Sequence, residues 1–202
     1  MNGRQYVVIA CGGTKLGEKI ADERVTIYSD PADPQLLAQP FSNDGTPIPR
    51  VVYIENGILK NFSYDRYWAQ RQGKTPTGGG GGFFGGGGGG LKFLGGTKTT
   101  EELIAGTERG ILVTHFFYIR ALDPRTVMLT GLTRDGTFLI ENGQIARSIR
   151  NFRFNESPLF ILNNLEAIGP AERVAGSERG GGDVVPLVKV RDFTFTSQSD
   201  AV

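Results

Sequence analysis

Residue types that commonly carry catalysis are scarce in this sequence of 202 residues, which contains one histidine, His115, and one cysteine, Cys11. A zinc site within one chain needs several ligands at defined spacing, and the sequence has neither a His-Glu-x-x-His pattern nor a Cys/His cluster. A Cys11–His115 dyad would require spatial adjacency, which nothing in their spacing supports. The sequence therefore predicts no catalytic residue and no metal ligand on this chain, and Cys11 is interpreted as a small buried hydrophobe.

Five residues are candidate substrate-binding groups because they lie at the ends of predicted strands or beside turns: His115, Tyr118, Arg120, Thr130 and Arg134. The Arg134 guanidinium can hold a carboxylate through two hydrogen bonds. These residues also have purely structural interpretations. A histidine on a largely apolar strand face is more often half-buried in a core or an interface, and exposed ion pairs contribute little to stability.

The candidate residues before Thr130 lie on one predicted strand, residues 110–120. Because side chains alternate along a strand, His115 and Phe117 are expected on one face, and Tyr118 and Arg120 on the other.

Two Asn-Gly pairs, Asn56-Gly57 and Asn142-Gly143, each separate two partly apolar runs. Asn-Gly tolerates the positive φ angles of a type I′ turn, so both segments are predicted to be β-hairpins.

The remaining elements follow from local composition. Further strands are predicted at 24–28, 110–120, 126–133 and 186–196, where β-branched and aromatic residues concentrate. The segment 130–137 is interpreted as joining the third of these strands to the second hairpin, with a turn at Asp135-Gly136. A helix is predicted over about 100–108 after a Thr99 cap, and another from Ser157-Pro158 to near Gly169. The predicted fold class is mainly β (α+β), an antiparallel sheet or barrel-like domain with two or three short helices.

Composition argues against several functional classes. The net charge of +1 and the dispersed basic residues favour no nucleic-acid partner, and no apolar window approaches the ~20 residues of a membrane helix. A single cysteine excludes an internal disulfide and fits a reducing compartment, so a cytoplasmic location is expected. The segment Gly78–Gly90 is glycine except for Phe83 and Phe84, and it is predicted to be a mobile or surface loop.

Several segments, in order along most of the chain, carry a resemblance to one family. They are GGTKLGEK at 12–19, IENGIL at 54–59, PTG at 76–78, the stretch 126–137 and LIENG at 139–143. These segments resemble the carboxy-terminal domain of TldD/PmbA proteins, which have also been called modulators of DNA gyrase.

The resemblance implies proteolysis of peptides by a zinc-dependent subunit, acting as a homo- or hetero-dimer with a related and often non-catalytic subunit. In the catalytic type, a His-Glu-x-x-x-His helix precedes this domain and a cysteine near the carboxy terminus is a further ligand. Here that helix would fall before Met1, and Ala175 stands at the cysteine position. Residues 1–202 are therefore expected to form the carboxy-terminal domain, with a Gly-rich loop at 78–90, and to lack the family's amino-terminal domain and metal-binding helix.

The function expected from the resemblance is that of a subunit or fragment of a TldD/PmbA-type zinc peptidase that itself lacks the metal ligands and any cofactor. The alternative is a non-catalytic structural or binding module that pairs with a catalytic partner subunit.

Overall fold

The computed structural model describes residues 14–42, 44–78, 90–174 and 182–199. The strands are β1 (Ile27–Ser29), β2 (Val51–Glu55), β3 (Ile58–Leu59), β4 (Lys92–Phe93), β5 (Arg109–Asp123), β6 (Met128–Glu141), β7 (Gln144–Ser148), β8 (Asn151–Glu156), β9 (Leu165–Val174), β10 (Asp183–Val190) and β11 (Phe195–Ser199). The helices are α1 (Arg66–Gln72), α2 (Thr100–Ala105) and α3 (Pro158–Asn163). Within the described residues, the predicted mainly β class with two or three short helices is confirmed.

The described strands form two sheets that are not closed into a barrel. The six-stranded sheet has the order β3-β2-β1-β4-β10-β9, and the five-stranded sheet has the order β11-β8-β6-β5, with β7 pairing to β6 beside that path. The strand pairs of the five-stranded sheet run antiparallel, as predicted. In the six-stranded sheet, β10 lies parallel to β4. The barrel-like arrangement is therefore replaced by two open sheets.

Both predicted hairpins are present. Asn56 and Gly57 have φ angles of 50° and 77°, and they join β2 to β3. Asn142 and Gly143 have φ angles of 50° and 75°, and they join β6 to β7. Positive φ at both central residues is the backbone condition that selects Asn-Gly for such turns.

Helix α2 begins as predicted at a Thr99 cap. The Thr99 side chain accepts from the Glu102 N–H while the Glu102 carboxylate accepts from the Thr99 N–H, and this reciprocal capping box satisfies two N-terminal donors. Helix α1 was not predicted from the sequence, although Asp65 caps its start and Gly73 its end. At only seven residues, α1 has too few apolar positions to show a helical period.

The prediction for α3 was wrong in two respects. Ser157 occupies the cap position, but its hydroxyl donates to the Thr126 carbonyl instead of accepting from the helix. The helix ends at Asn163 rather than near Gly169, because Leu165 and Ile168 are buried as part of strand β9. Strand pairing here overrides a helical apolar pattern.

Two strand predictions also need correction. The stretch 126–137 was interpreted as a strand over 126–133 followed by an Asp-Gly turn into the second hairpin. Residues 128–137 instead belong to the continuous strand β6, and residues 126–127 lie in the turn before it. The predicted strand 186–196 is divided between β10 and β11, and Asp192 adopts a φ of 60° in the break. A non-glycine residue in that region interrupts regular pairing.

The chain divides into two compact units: unit 1 comprises residues 1–96 and 170–186, and unit 2 comprises residues 97–169 and 187–202. The core of unit 1 includes Ala21, Val25, Val51, Ile54, Leu59, Ala69, Phe93 and Val184, and that of unit 2 includes Leu103, Leu129, Leu132, Ile140, Phe154, Leu165 and Ile168.

In the described part of the chain, no helix is both long enough and apolar enough to cross a membrane. The predictions for Cys11, Ala175 and the interior of the Gly-rich segment, residues 79–89, lie outside the described residues.

Candidate binding surface on the β5–β6 ribbon

All five candidate substrate-binding residues lie on β5 and β6, which pair with each other along their length at the edge of the five-stranded sheet; this strand pair is called the β5–β6 ribbon. The backbone register sets His115 opposite Arg134 and Arg120 opposite Thr130. Tyr118 lies between them on β5. The five candidates therefore lie on one pair of strands, where their side chains form two local clusters.

A β-bulge on β6 builds the first cluster. The register shifts between Val113 and His115, and Asp135 and Gly136 adopt φ angles of 61° and 147°. A bulge turns a side chain out of the regular alternation. Here it directs the Asp135 carboxylate to His115, with 2.6 Å between Oδ2 and Nδ1.

Phe117 lies between the basic groups of this cluster. Its ring meets the His115 ring edge-on, with centroids 6.4 Å apart, and the Arg134 guanidinium carbon lies 4.2 Å from its centroid. His115 and Phe117 thus share a face, as alternation predicted. Arg134 also approaches Asp135, with Nε 3.4 Å from Oδ1, so one carboxylate contacts both His115 and Arg134.

The second cluster surrounds a bulge on β5 itself. Tyr118 has a φ of 54°, and the register shifts between Phe117 and Arg120, so the predicted strict alternation ends at Phe117. The Arg120 guanidinium carbon lies 4.1 Å from the Tyr118 ring centroid, a close cation–π contact. Opposite Arg120, the Thr130 hydroxyl is 3.4 Å from a guanidinium nitrogen of Arg153. These side chains form an exposed surface of donors and one aromatic ring.

A buried hydroxyl network supports the first bulge from the neighbouring strand. Thr133 is fully buried, and its hydroxyl accepts from the Phe152 N–H at 2.9 Å. The Thr133 and Thr137 hydroxyls both donate to the Asn151 side-chain oxygen, at 3.1 and 2.9 Å. Buried polar groups must be paired, so this network fixes the β6 backbone on either side of Asp135.

The residues of this surface do not fit a zinc ion. Among the described residues, no group of three or more His, Cys, Asp or Glu side chains is arranged to hold a metal. His115 is the sole histidine of the chain, and its Nδ1 is engaged by one carboxylate. Asp135 is the contact partner of His115 that the sequence did not predict, because its Asp-Gly pair was interpreted as a turn. The signal was its position within an otherwise unbroken β-prone run.

A separate polar cluster lies in unit 1. The Lys92 ammonium is 2.9 Å from the Asp33 carboxylate and 2.5 Å from the Gln35 side-chain oxygen, and the Tyr28 hydroxyl donates to Asp33 at 2.8 Å. The Lys92 ammonium and the Gln35 N–H lower the pKa of Asp33 from 3.8 to about 2. Burial raises the pKa of the Tyr28 hydroxyl. The cluster ties residues 33–35 to β4 and acts as a structural anchor.

Comparison with known proteins identifies the class. The model of the PmbA/TldA metallopeptidase C-terminal domain matches residues 8–197, so the chain belongs to the PmbA/TldD family.

Its relatives include the TldE structure from Thermococcus kodakarensis, with a TM-score of 0.75 at 27% identity over 91% of this chain and 42% of that one. A Thermotoga maritima structure named as a candidate modulator of DNA gyrase has a TM-score of 0.71 at 27% identity, covering 87% of this chain and 40% of that one. The zinc metalloprotease TldD homolog of Saccharolobus solfataricus is 26% identical over 166 residues, 75% of this chain and 35% of that protein. The chain thus spans between about a third and two fifths of the length of these relatives.

Proposed function

We propose that this chain acts as a subunit of a TldD/PmbA-type peptidase assembly in the cytoplasm, contributing binding surface while a related subunit supplies the zinc and the hydrolytic chemistry. The observation that carries the proposal is family membership over residues 8–197 combined with a single histidine in the sequence. A zinc peptidase site takes three protein ligands and keeps one position open for water or substrate. This chain has too few imidazoles for the two-histidine version of that site, so its part in proteolysis is to bind and position.

The β5–β6 ribbon is the proposed peptide-binding surface. His115, Tyr118, Arg120, Thr130 and Arg134 all present side chains along it. The edge of β5 that pairs with no other described strand can accept an extended peptide by main-chain hydrogen bonds. Arg134 is more than half-buried against Phe117 and is oriented by Asp135, which suits it to a peptide carboxylate.

The test is a reconstitution. The purified chain is assayed for cleavage of an unfolded protein such as casein, alone and with a zinc-bearing TldD-type subunit of the same family, in the presence and absence of a chelator. The proposal expects no cleavage by the chain alone and chelator-sensitive cleavage that increases when both subunits are present. Cleavage by the chain alone that resists chelation would refute it.

Arg134→Gln probes the surface within the same assay, and Arg173→Gln on β9 is the matched control. Loss of a desolvated charge-assisted contact is expected to raise KM about tenfold with little change in kcat. An unchanged KM would remove Arg134 from the binding surface and leave the subunit proposal intact.

The second candidate function is a non-catalytic structural or binding module. The pairing of the sole histidine with Asp135 favours it, because that imidazole is already engaged by a carboxylate. This alternative expects a stable complex with a TldD/PmbA-type partner, yet no change in the partner's cleavage rate when the chain is added. An increased rate would favour the first proposal.

A further inference from the structure

Arginine side chains from three strands share one face of the five-stranded sheet. Residues directly opposite each other in an antiparallel pair point to the same face, and so do residues two apart along a strand. The register sets Arg120 opposite Thr130 and Arg153 opposite Leu132, and Arg134 follows Thr130 and Leu132 in the alternation along β6. Arg120, Arg134 and Arg153 therefore lie on one face, which is called the arginine face.

The three arginines of this face differ in their contacts. Arg134 approaches the Asp135 carboxylate, with 3.4 Å between Nε and Oδ1. Arg120 donates to the carbonyl of the preceding residue at 2.8 Å, and a guanidinium nitrogen of Arg153 lies 3.4 Å from the Thr130 hydroxyl. Within the ranges that the structure describes, neither of these two guanidinium groups contacts a carboxylate, so each can take one from a ligand.

Aromatic rings hold two of the guanidinium groups in place. Phe117 and Tyr118 lie side by side, with ring centroids 6.1 Å apart. The guanidinium carbon of Arg134 lies over the Phe117 ring, and that of Arg120 lies over the Tyr118 ring at 4.1 Å from its centroid. A guanidinium group that covers a ring keeps the N–H donors at its edge for a ligand, and its orientation is fixed before the ligand binds.

The surface between Arg120 and Arg153 combines a hydroxyl with an apolar floor. Thr130 lies opposite Arg120 and contacts Arg153, so its hydroxyl lies between the two strands that carry these arginines. Leu132, only 9% exposed, lies between Phe117 and Arg153 across the sheet. An apolar floor lowers the effective dielectric constant and so strengthens the attraction between a guanidinium group and a carboxylate above it. Guanidinium groups bind carboxylates through paired, charge-assisted hydrogen bonds.

An acidic peptide fits this face better than a nucleic acid does. Single-stranded nucleic acids bind by stacking their bases on aromatic rings, whereas guanidinium groups already cover Phe117 and Tyr118. A phosphate backbone is also bound by many cations along its length, whereas Asp135 places a negative charge beside Arg134. In an extended peptide, residues i and i+2 point to the same side, so two carboxylates at these positions can contact two arginines of one face.

We propose that the arginine face binds an acidic segment of the peptide substrate, in which two carboxylates at residues i and i+2 pair with Arg120 and Arg153. The Thr130 hydroxyl between them donates to one of these carboxylates. The proposal rests on the proposed function for its place in proteolysis, and it deepens that function by naming the class of peptide that the chain selects.

The first experiment measures binding of a fluorescein-labelled peptide with a central Glu-Ser-Glu to the full chain by fluorescence anisotropy. The same peptide with Gln-Ser-Gln is the matched ligand and should bind at least tenfold more weakly, because it cannot form charge-assisted hydrogen bonds. Added salt should weaken binding of the Glu peptide and leave that of the Gln peptide nearly unchanged.

Substitutions in the chain locate the site. Arg120→Gln and Arg153→Gln are each expected to weaken binding of the Glu peptide about tenfold and to leave binding of the Gln peptide unchanged. Arg147→Gln is the matched control, because it removes the same charge from an exposed residue opposite Leu139, at the far end of β6. Thermal melts of the three variants establish that each is folded.

The second experiment tests the pattern and the class of ligand. A peptide of the same composition with adjacent glutamates, Glu-Glu-Ser, points its carboxylates to opposite sides and should bind more weakly than the Glu-Ser-Glu peptide. A labelled single-stranded oligothymidine is expected to bind more weakly than either acidic peptide. Tighter binding of the oligothymidine that is lost in Arg153→Gln would overturn the proposal and assign the arginine face to a nucleic acid.

Equal affinity for the Glu and Gln peptides, or an affinity for the Glu peptide that Arg120→Gln and Arg153→Gln leave intact, would overturn the proposal. Equal binding of the alternating and adjacent glutamates would overturn the i and i+2 pattern. These outcomes are distinguishable from failure of the proposed function, because peptide binding to the chain alone is measured without the zinc-bearing subunit. A reconstituted assembly that cleaves the Glu and Gln peptides at equal rates would sink this inference and leave the proposed function intact.

Discussion

Replacing Asp33 by asparagine is expected to destabilise unit 1 by about 2 kcal/mol at neutral pH. The contacts with Lys92 and the Gln35 N–H lower the pKa of Asp33 from 3.8 to about 2, and a difference of that size corresponds to about 2 kcal/mol of folding free energy. Little of it is lost to solvent screening, because the side chains of Asp33 and Lys92 are only 11% and 14% exposed. The substitution also leaves the Lys92 ammonium without its carboxylate.

The pH dependence provides the sharper measurement. Because the folded pKa lies below the unfolded one, the stabilisation is fully present above pH ~4 and is lost as the pH falls through ~2, with about half remaining near pH 3. Trp68 is the only tryptophan and belongs to unit 1, so its fluorescence in urea reports the free energy of unfolding of that unit. The difference between wild type and Asp33→Asn should shrink along this curve.

Asp44→Asn is the matched control. The pKa of Asp44 is also lowered to about 2, chiefly by the Ser42 and Thr46 hydroxyls, but half of its side chain is exposed. Water replaces exposed contacts readily, so a much smaller change in stability is expected. A difference between wild type and Asp33→Asn that stays constant from pH 7 to pH 3, or equals that of Asp44→Asn, would refute the reasoning.

Three further substitutions test the packing by urea unfolding. A Cβ at Gly131 would lie 2.6 Å from the Phe154 ring, so Gly131→Ala should lower the free energy of unfolding by about 1–3 kcal/mol. Adding Phe154→Leu should recover part of that loss, whereas additive losses in the double variant would contradict the clash. A Cβ at Gly57 would lie 2.3 Å from the Ala21 carbonyl oxygen, so Gly57→Ala should destabilise clearly more than Gly17→Ala, where φ is also positive but no atom lies within 4 Å. Thr133→Val should cost about 1–3 kcal/mol by leaving the Phe152 N–H unpaired, and a neutral result would remove the hydroxyl network from the account of the bulge.

The elements that the sequence predicted well are those fixed by local backbone chemistry. Asn-Gly selects positive φ at two successive positions, and Thr99 with Glu102 forms a reciprocal cap within four residues. Neither feature depends on distant contacts, so the local sequence is enough to predict both. The family resemblance added the order of these elements along the chain.

The misses share a different cause: the deciding contact is remote in sequence. Ser157 is drawn from its capping role by a carbonyl at Thr126, 31 residues away. Asp135 lies in a bulge because β5 pairs with β6 on both sides of it. Interpreting Asp135-Gly136 as a turn does not predict that this pairing continues. The same pairing brings Asp135 to His115 across 20 residues, so the site geometry depended on a register that alternation alone could not supply.

The two bulges also explain why the ribbon suits binding better than catalysis. Strained positive-φ positions at Tyr118 and Asp135 turn basic and aromatic side chains out of a regular ladder while the ladder itself stays intact. Of the side chains they position, His115 and Arg134 already contact the Asp135 carboxylate, and Arg120 stacks on Tyr118. An extended chain laid along this ribbon would meet oriented donors and one long backbone edge. Hydrolysis of that chain requires an activated nucleophile, which the proposed assembly assigns to the zinc of the related subunit.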